Sequence, residues 1–511
     1  MADFTFASLT PASFLDRSAA VFAERVAVVD GDLRLTYAEL ADRGARLVSA
    51  LAAAGVEPGD RVAALCTNSH VMLELHHAVP ARGAVLVSVN IRLSPDEMRY
   101  VLEHSGARLL VATRELAEAA RGLAGGLGIA LVVEDEYDAW LEASPADPAH
   151  RVAVDERDLL ALNYTSGTTG RPKGVMYHHR GAYLQAVAMA YHARLAPEAR
   201  YLWTLPMFHC NGWCFTWAVT ASGGTHLCLR QVDTAEIWRQ LREEGVTHFS
   251  GAPTVLTMIA ADPAAGELDH RVHVDVGGAP PSPALIGRLG PLGLDVTHLY
   301  GLTETFGPIA INEWQPEWDG LGAGERDRLR ARQGVGNIVA RPLRVLDGDG
   351  VDVPADGATV GELAVEGNDV MLGYYRDEAA TVAVTRSGCF LTGDLAVRHP
   401  DGYVEIRDRR KDVIISGGEN IASVEVERVF DEHPAVLECA VVGAPDETWG
   451  EVPVAFVTLR EGAEVDADDL RAFLRERIAG FKVPRRIEFV ALPKTSTGKI
   501  QKNVLRQRAR T

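Results

Sequence analysis

Two short patterns near the start of the chain constrain its architecture more than any other feature. Thr36-Tyr37-Ala38-Glu39 and Ser94-Pro95-Asp96-Glu97 each set a hydroxyl residue three positions before a glutamate, the spacing at which two side chains satisfy one another's backbone amides at a helix start. Leu40, Leu47, Val48 and Leu51 follow the first pattern at helical spacing, and Gly55 with Pro58 closes it before the apolar run Val62 to Cys66. The second has proline at its first helical position and ends at Gly106, ahead of Leu109-Leu110-Val111. Helix, turn and short apolar strand in alternation predict an α/β fold with a mainly parallel, helix-covered sheet.

A chain of 511 residues exceeds what one core supports, so more than one domain is expected. The character changes at Asp408-Arg409-Arg410-Lys411-Asp412, which follows the strand-like Tyr403 to Ile406. Beyond it come a helix signal at 424–430, strands at 437–442 and 454–459, and a helix at 468–478. Residues 1–408 are therefore read as one large unit and 409–511 as a small α+β unit of ordinary domain size. Six scattered cysteines form no zinc or disulfide pattern, and the start lacks a basic region followed by an apolar run. A cytoplasmic protein is expected, with the oligomeric state open, a homodimer included.

Seventy acidic residues against 51 basic ones give a formal net charge of -19, a field that repels nucleic acid and anionic lipid. An anionic substrate then needs a local concentration of donors and cations. Asn163-Tyr164-Thr165-Ser166-Gly167-Thr168-Thr169-Gly170-Arg171-Pro172-Lys173-Gly174 provides one. Its glycines let backbone N–H groups approach phosphate oxygens, its hydroxyls donate to them, and Lys173 supplies charge. It is not a P-loop, because Arg171 follows Gly170 and Gly174 follows Lys173.

This loop resembles the signature of the adenylate-forming superfamily, which includes acyl-CoA synthetases, luciferases and peptide-synthetase adenylation domains. Gly277-Gly278-Ala279-Pro280-Pro281, Tyr300-Gly301-Leu302-Thr303-Glu304-Thr305, Thr392-Gly393-Asp394, Asp408 to Asp412 and Pro493 to Ile500 match further motifs of that family in order. The resemblance covers the chain from about Asn163 to its last residue. It implies a large, multi-subdomain N-terminal adenylate-forming domain with a small, mobile C-terminal domain. It also implies ATP, Mg2+ and coenzyme A as ligands.

The resemblance implies a role for each matched position. Thr165 to Gly170 and Lys173 would cradle the phosphates, and Thr303 and Glu304 would hold phosphate and magnesium, with Thr165 contributing to the metal site. Tyr300, beside Gly301, would stack on adenine, and Gly278 and Ala279 would edge the base and acyl group. Asp394 would bind the ribose hydroxyls, Arg409 ribose or phosphate, and Lys411 would be the hinge. Lys499 would be the catalytic lysine between carboxylate and α-phosphate, where a fixed cation offsets the repulsion of two anions. His209, in Met207-Phe208-His209-Cys210-Asn211-Gly212-Trp213, would gate the acyl pocket, whereas the adjacent pair His178-His179 reads as structural or surface.

The gate offers no aspartate for a substrate amine, so a plain carboxylic acid is expected. Trp213, Phe215 and Phe306 suggest a pocket for a medium-chain fatty or aromatic acid. Twelve residues follow Lys499, so the acyl acceptor is expected to be a separate molecule. Ser416-Gly417-Gly418-Glu419-Asn420 resembles the ligase loop in which a glycine, here Gly418, lets the pantetheine arm pass. The expected activity is ATP-dependent conversion of the acid to its acyl-adenylate and then its coenzyme A thioester, with an amine, nitrite or carrier-protein thiol as the alternative acceptor.

Overall fold

A computed structural model describes residues 5–165, 171–417, 419–494 and 500–510. Both capping patterns start helices. Thr36 Oγ1 accepts from the Glu39 amide at 3.2 Å while Glu39 accepts from the Thr36 amide at 2.8 Å, opening the helix Tyr37–Ala53. Ser94 and Glu97 repeat the exchange at Pro95–Ser105, which ends on Gly106 at φ +66°. Each helix returns the chain to a strand, Arg61–Leu65 and Ala107–Ala112, and these two pair in parallel.

Two large sheets result. In one, Ala130–Val133, Ala107–Ala112, Arg61–Leu65, Val85–Ser88 and Leu159–Thr165 run parallel, and Lys173–His178 closes the edge antiparallel. In the other, Val26–Asp30, Thr225–Leu227, Arg200–Leu202, His248–Gly251, Val272–Val276 and Leu294–Leu302 run parallel, with antiparallel strands at both edges. One core cluster joins residues of both sheets with the helices Tyr37–Ala53, His70–Ala81, His179–His192 and Phe215–Ser222. Every residue of His70–Ala81 is buried, so its polar side chains need internal partners. Glu74 receives Arg43 at 2.6 Å and the Tyr137 hydroxyl at 2.8 Å.

A third, antiparallel sheet contains Arg344–Leu346, Gly361–Val365, Cys389–Arg398 and Val404–Arg409. The next strand, Ile414–Ser416, joins a separate five-stranded sheet with Glu419–Ile421, Val436–Asp446, Gly450–Leu459 and Arg486–Phe489. The helices Ser423–Asp431 and Ala467–Arg475 accompany it, as their periodicity predicted. The protein is a mixed α/β molecule with a large N-terminal and a small C-terminal domain. Among the described residues no helix is long and apolar enough to cross a membrane.

Candidate active site

The described ends of the hydroxyl- and glycine-rich motif are two paired strands. Leu159–Thr165 and Lys173–His178 are antiparallel, with Thr165 opposite Lys173 and Asn163 opposite Val175. Ser166, Gly167, Thr168, Thr169 and Gly170 lie outside the described residues. The Lys173 ammonium, at the start of its strand, sits 4.8 Å from the centre of the Tyr374 ring. The Tyr374 hydroxyl donates to Glu304 Oε1 at 2.7 Å. Burial, and then the Glu304 charge, push the Tyr374 phenol well above its ordinary range, so it stays a donor.

The segment carrying Tyr374 is stitched to both neighbours. Leu372 N–H donates to Met176 O, Met176 N–H to Gly373 O and Tyr375 N–H to Gly174 O, while Met371 N–H donates to Glu304 O at 2.9 Å. Glu304 lies in the turn Thr303–Thr305 between the antiparallel strands Leu294–Leu302 and Gly307–Ile311. That turn depends on a backbone contact which only glycine permits, since a Cβ on Gly301 would stand 1.8 Å from Gly307 O. The Tyr177 hydroxyl fixes the turn further by donating to Thr303 O at 2.7 Å.

Asp394 sits where the third sheet meets the cleft. The strand register places it opposite Arg409, whose Nε lies 3.1 Å from Asp394 Oδ1, and the Tyr300 hydroxyl donates to Oδ2 at 2.6 Å. Burial opposes the Arg409 charge, but the Asp394 carboxylate outweighs it and holds the pKa above the ordinary value. Burial, then the same carboxylate, raise the Tyr300 phenol. Gly278 follows the strand Val272–Val276 at φ +82° with no atom within 4 Å of its Cβ position, and Ala279 is half-buried beside it. Gly278 and the turn Thr303–Thr305 lie just past the carboxyl ends of the parallel strands Val272–Val276 and Leu294–Leu302, where open α/β sheets bind ligands.

His209 leads into an unusual turn. Cys210, Asn211, Gly212, Trp213 and Cys214 have φ of 46, 46, 57, 51 and 64°, a run of left-handed residues that costs about 1–2 kcal/mol at each non-glycine position. Buried hydrogen bonds hold it. Asn211 N–H donates to Asn163 Oδ1 at 3.2 Å, and Asn163 Nδ2 donates back to Asn211 Oδ1. Asn211 Nδ2 meets His76 Nε2 at 3.0 Å, and His76 Nδ1 meets Met72 O at 2.7 Å. The carbonyl makes Nδ1 the protonated nitrogen and Nε2 the acceptor. Asn163 is the first residue of the hydroxyl- and glycine-rich motif, so a buried amide pair joins that strand to the turn that follows His209. Cys210 Sγ reaches Thr303 Oγ1 at 3.5 Å, and burial pushes its thiol up to about 12, so it stays protonated.

The pair His178-His179 is buried, not at the surface. His178 Nδ1 accepts from the Gly181 amide at 2.9 Å as a helix cap, and His179 Nδ1 meets Thr10 Oγ1 at 2.9 Å. Phe215 and Phe306 are also fully buried, stacked on Tyr201 and Tyr177 respectively. Aromatic burial in the core accounts for both, and neither offers a surface to a ligand.

Lys499 and Gly418 lie outside the described residues. On either side of residues 495–499, Lys494 pairs with Ile500 and Gln501 N–H donates to Pro493 O at 2.8 Å. Beside Gly418, Gly417 packs under Trp449, whose ring would lie 2.5 Å from an added Cβ. Lys411 is exposed, between the last strand of the third sheet and the first of the small one.

Asp30, His70 and Glu134 bring candidate metal ligands within 4.8 Å of one another. Arg230 already fills that position, donating to Asp30 at 2.7 Å and to Glu134 at 2.7 Å, so the cluster is an ion-pair network.

The AMP-binding enzyme model matches residues 15–375, and the AMP-binding enzyme C-terminal domain model matches 425–499. The chain is 42% identical over 541 residues to a peroxisomal acetate/butyrate–CoA ligase of Arabidopsis thaliana, covering 99% of this chain and 95% of the relative. It is 40% identical over 524 residues to 4-hydroxybutyrate–CoA ligase 2 of Metallosphaera sedula, with the same coverage of 99% and 95%. ATP-bound MatB from Rhodopseudomonas palustris superposes with a TM-score of 0.87 at 28% identity, covering 97% of this chain and 98% of that one. With both domains matched in order and nearly full-length relatives at this identity, the chain belongs to the AMP-binding enzyme family.

Proposed function

We propose that the region between the strand ends at Thr165 and Lys173, the Thr303–Thr305 turn and Asp394 activates a carboxylic acid with ATP and passes the acyl group to coenzyme A. The protein is an AMP-forming acid–thiol ligase. The carboxylate attacks the α-phosphorus, the bond to pyrophosphate breaks, and an acyl-adenylate remains. The thiol of coenzyme A then attacks the acyl carbonyl and AMP leaves. The observation that carries this reading is the convergence of Lys173, Tyr374 and Glu304 at one wall with Tyr300, Asp394 and Arg409 at the next.

Both steps bring anions together, so catalysis rests on position and charge compensation rather than a protein nucleophile. Lys173 and the hydroxyls of its hairpin suit the polyphosphate, Arg409 and Asp394 the ribose and its phosphate, and His209 the acyl entrance. Glu304 suits a magnesium ion. Tyr374 occupies one of its carboxylate oxygens, and among the described residues the other accepts no hydrogen bond, which leaves a hard oxygen ligand for a hard cation. When bound there, magnesium would offset phosphate charge. Lys499 is assigned to the carboxylate and α-phosphate, Gly418 to passage of the pantetheine arm, and Lys411 to a hinge between units 1–408 and 409–511. The cytoplasm is the compartment proposed for this reaction.

The test is acid-dependent exchange of labelled pyrophosphate into ATP, followed by thioester formation on addition of coenzyme A. Lys499→Ala should lower exchange by ~10²-fold or more, the scale of losing one fixed transition-state stabiliser, while largely sparing thioester formation from preformed acyl-adenylate. Equal loss in both half-reactions would contradict the role given to Lys499.

A further inference from the structure

The left-handed turn includes Trp213, whose indole reaches Gly277 at the carboxyl edge of the sheet. A Cβ on Gly277 would meet Cη2 of Trp213 at 2.7 Å and Cζ2 at 3.1 Å, and one on Gly307 would meet Trp213 Cβ and Cδ1 at 3.3 Å each. The ring is thus wedged between the exit of Val272–Val276 and the first residue of Gly307–Ile311, directly after the turn that holds Thr303 and Glu304. The indole thus takes up the space beside that turn on the side of Gly277 and Gly307.

Exposure supports this. A deep, open acyl pocket would leave its aromatic walls uncovered by protein, yet Trp213 is 6% exposed, Phe208 5%, and Phe215 and Phe306 are 0% exposed. Of this group only His209 remains partly accessible. Nor does the indole swing aside freely. Its backbone is held at φ 51° inside the turn that Asn211 anchors to Asn163 and His76, and a glycine at 277 and at 307 is what gives the ring its room.

Resting on the adenylation reading above, we propose that Trp213 closes the acyl end of the cleft and restricts this enzyme to short-chain aliphatic acids. Gly277 and Gly307 seat the indole, and the left-handed turn fixes its height.

Pyrophosphate exchange with acetate, butyrate, hexanoate, octanoate and trans-cinnamate tests it, using the full-length protein. In the wild type, kcat/KM for butyrate should exceed that for hexanoate or cinnamate by at least about tenfold, the usual discrimination of an apolar pocket against added carbon. Trp213→Gly and Trp213→Leu should raise hexanoate relative to butyrate by at least about tenfold, since losing the indole opens a hole on the order of 150 Å3, enough for a benzene-sized group. Glycine also suits the positive φ at this position. A wild type that uses octanoate or cinnamate as well as butyrate overturns the proposal, as does a folded variant with unchanged acid ratios. Exchange with no acid at all in the wild type instead sinks the adenylation reading. If neither variant folds, the wild-type acid profile decides alone.

Discussion

The Tyr374 ring lies beneath the Lys173 ammonium while its hydroxyl holds Glu304, so one side chain separates a cation and an anion that would otherwise pair and quench each other. Tyr374→Phe keeps the ring and removes the hydrogen bond. We expect acid-dependent exchange to fall about tenfold, the worth of one hydrogen bond to a charged group, and the magnesium requirement to rise because Glu304 is no longer oriented. A magnesium titration of both proteins checks this, and superimposable curves would remove Tyr374 from the site. Nothing in the sequence singles out Tyr374, because its importance lies in a strand partner and a turn some seventy residues away. Glu304 and Lys173 were singled out by their motifs, and the structure brings both against Tyr374.

At the scale of elements, the turn Cys210–Cys214 shows where local propensity is overridden. Four non-glycine residues adopt positive φ there, which no propensity favours. The hydrogen bonds of Asn211 to Asn163, His76 and Ser88 supply the compensation. Asn211→Ala leaves these buried groups unpaired, and we expect a loss of about 3 kcal/mol in urea unfolding together with weaker exchange. Unchanged stability would mean the turn is held by other contacts. The capping boxes at Thr36 and Ser94 are the opposite case. Their signal is complete within four residues, so the sequence sufficed to place both helices.

The whole molecule carries a pH dependence that follows from its buried histidines. Burial lowers His76, His179, His248 and His298 to about 4 and His226 to about 3, and pushes His77 well down. In the unfolded chain these groups titrate near 6.5. Between those values the unfolded state binds more protons, so their contribution is complete above about pH 6.5 and is lost as pH falls toward 4. Asp369, raised to about 6 by burial, and Asp431, raised to about 7 by burial and then Glu427, act oppositely, gaining stability as they protonate. The histidines dominate below about pH 6.5, and urea midpoints should decline from that value to about pH 5. A flat or rising profile over that range would show that the histidines do not stay neutral in the fold. Protonating His76 also replaces the acceptor of Asn211 with a donor, so activity should fall along with stability.

Alternation of capped helices with short apolar strands determined the α/β architecture, because caps and periodicity act over a few residues. The charged run at 408–412 marked the change from one sheet to another, since apolar strand patterns stop and restart on either side of it. The cleft itself was decided only in three dimensions. Lys173 was set against Tyr374, Asp394 was fixed by strand register opposite Arg409, and two of the three aromatics expected to line the acyl pocket went into the core. Contacts between residues far apart in sequence depend on packing and register, which no local pattern encodes.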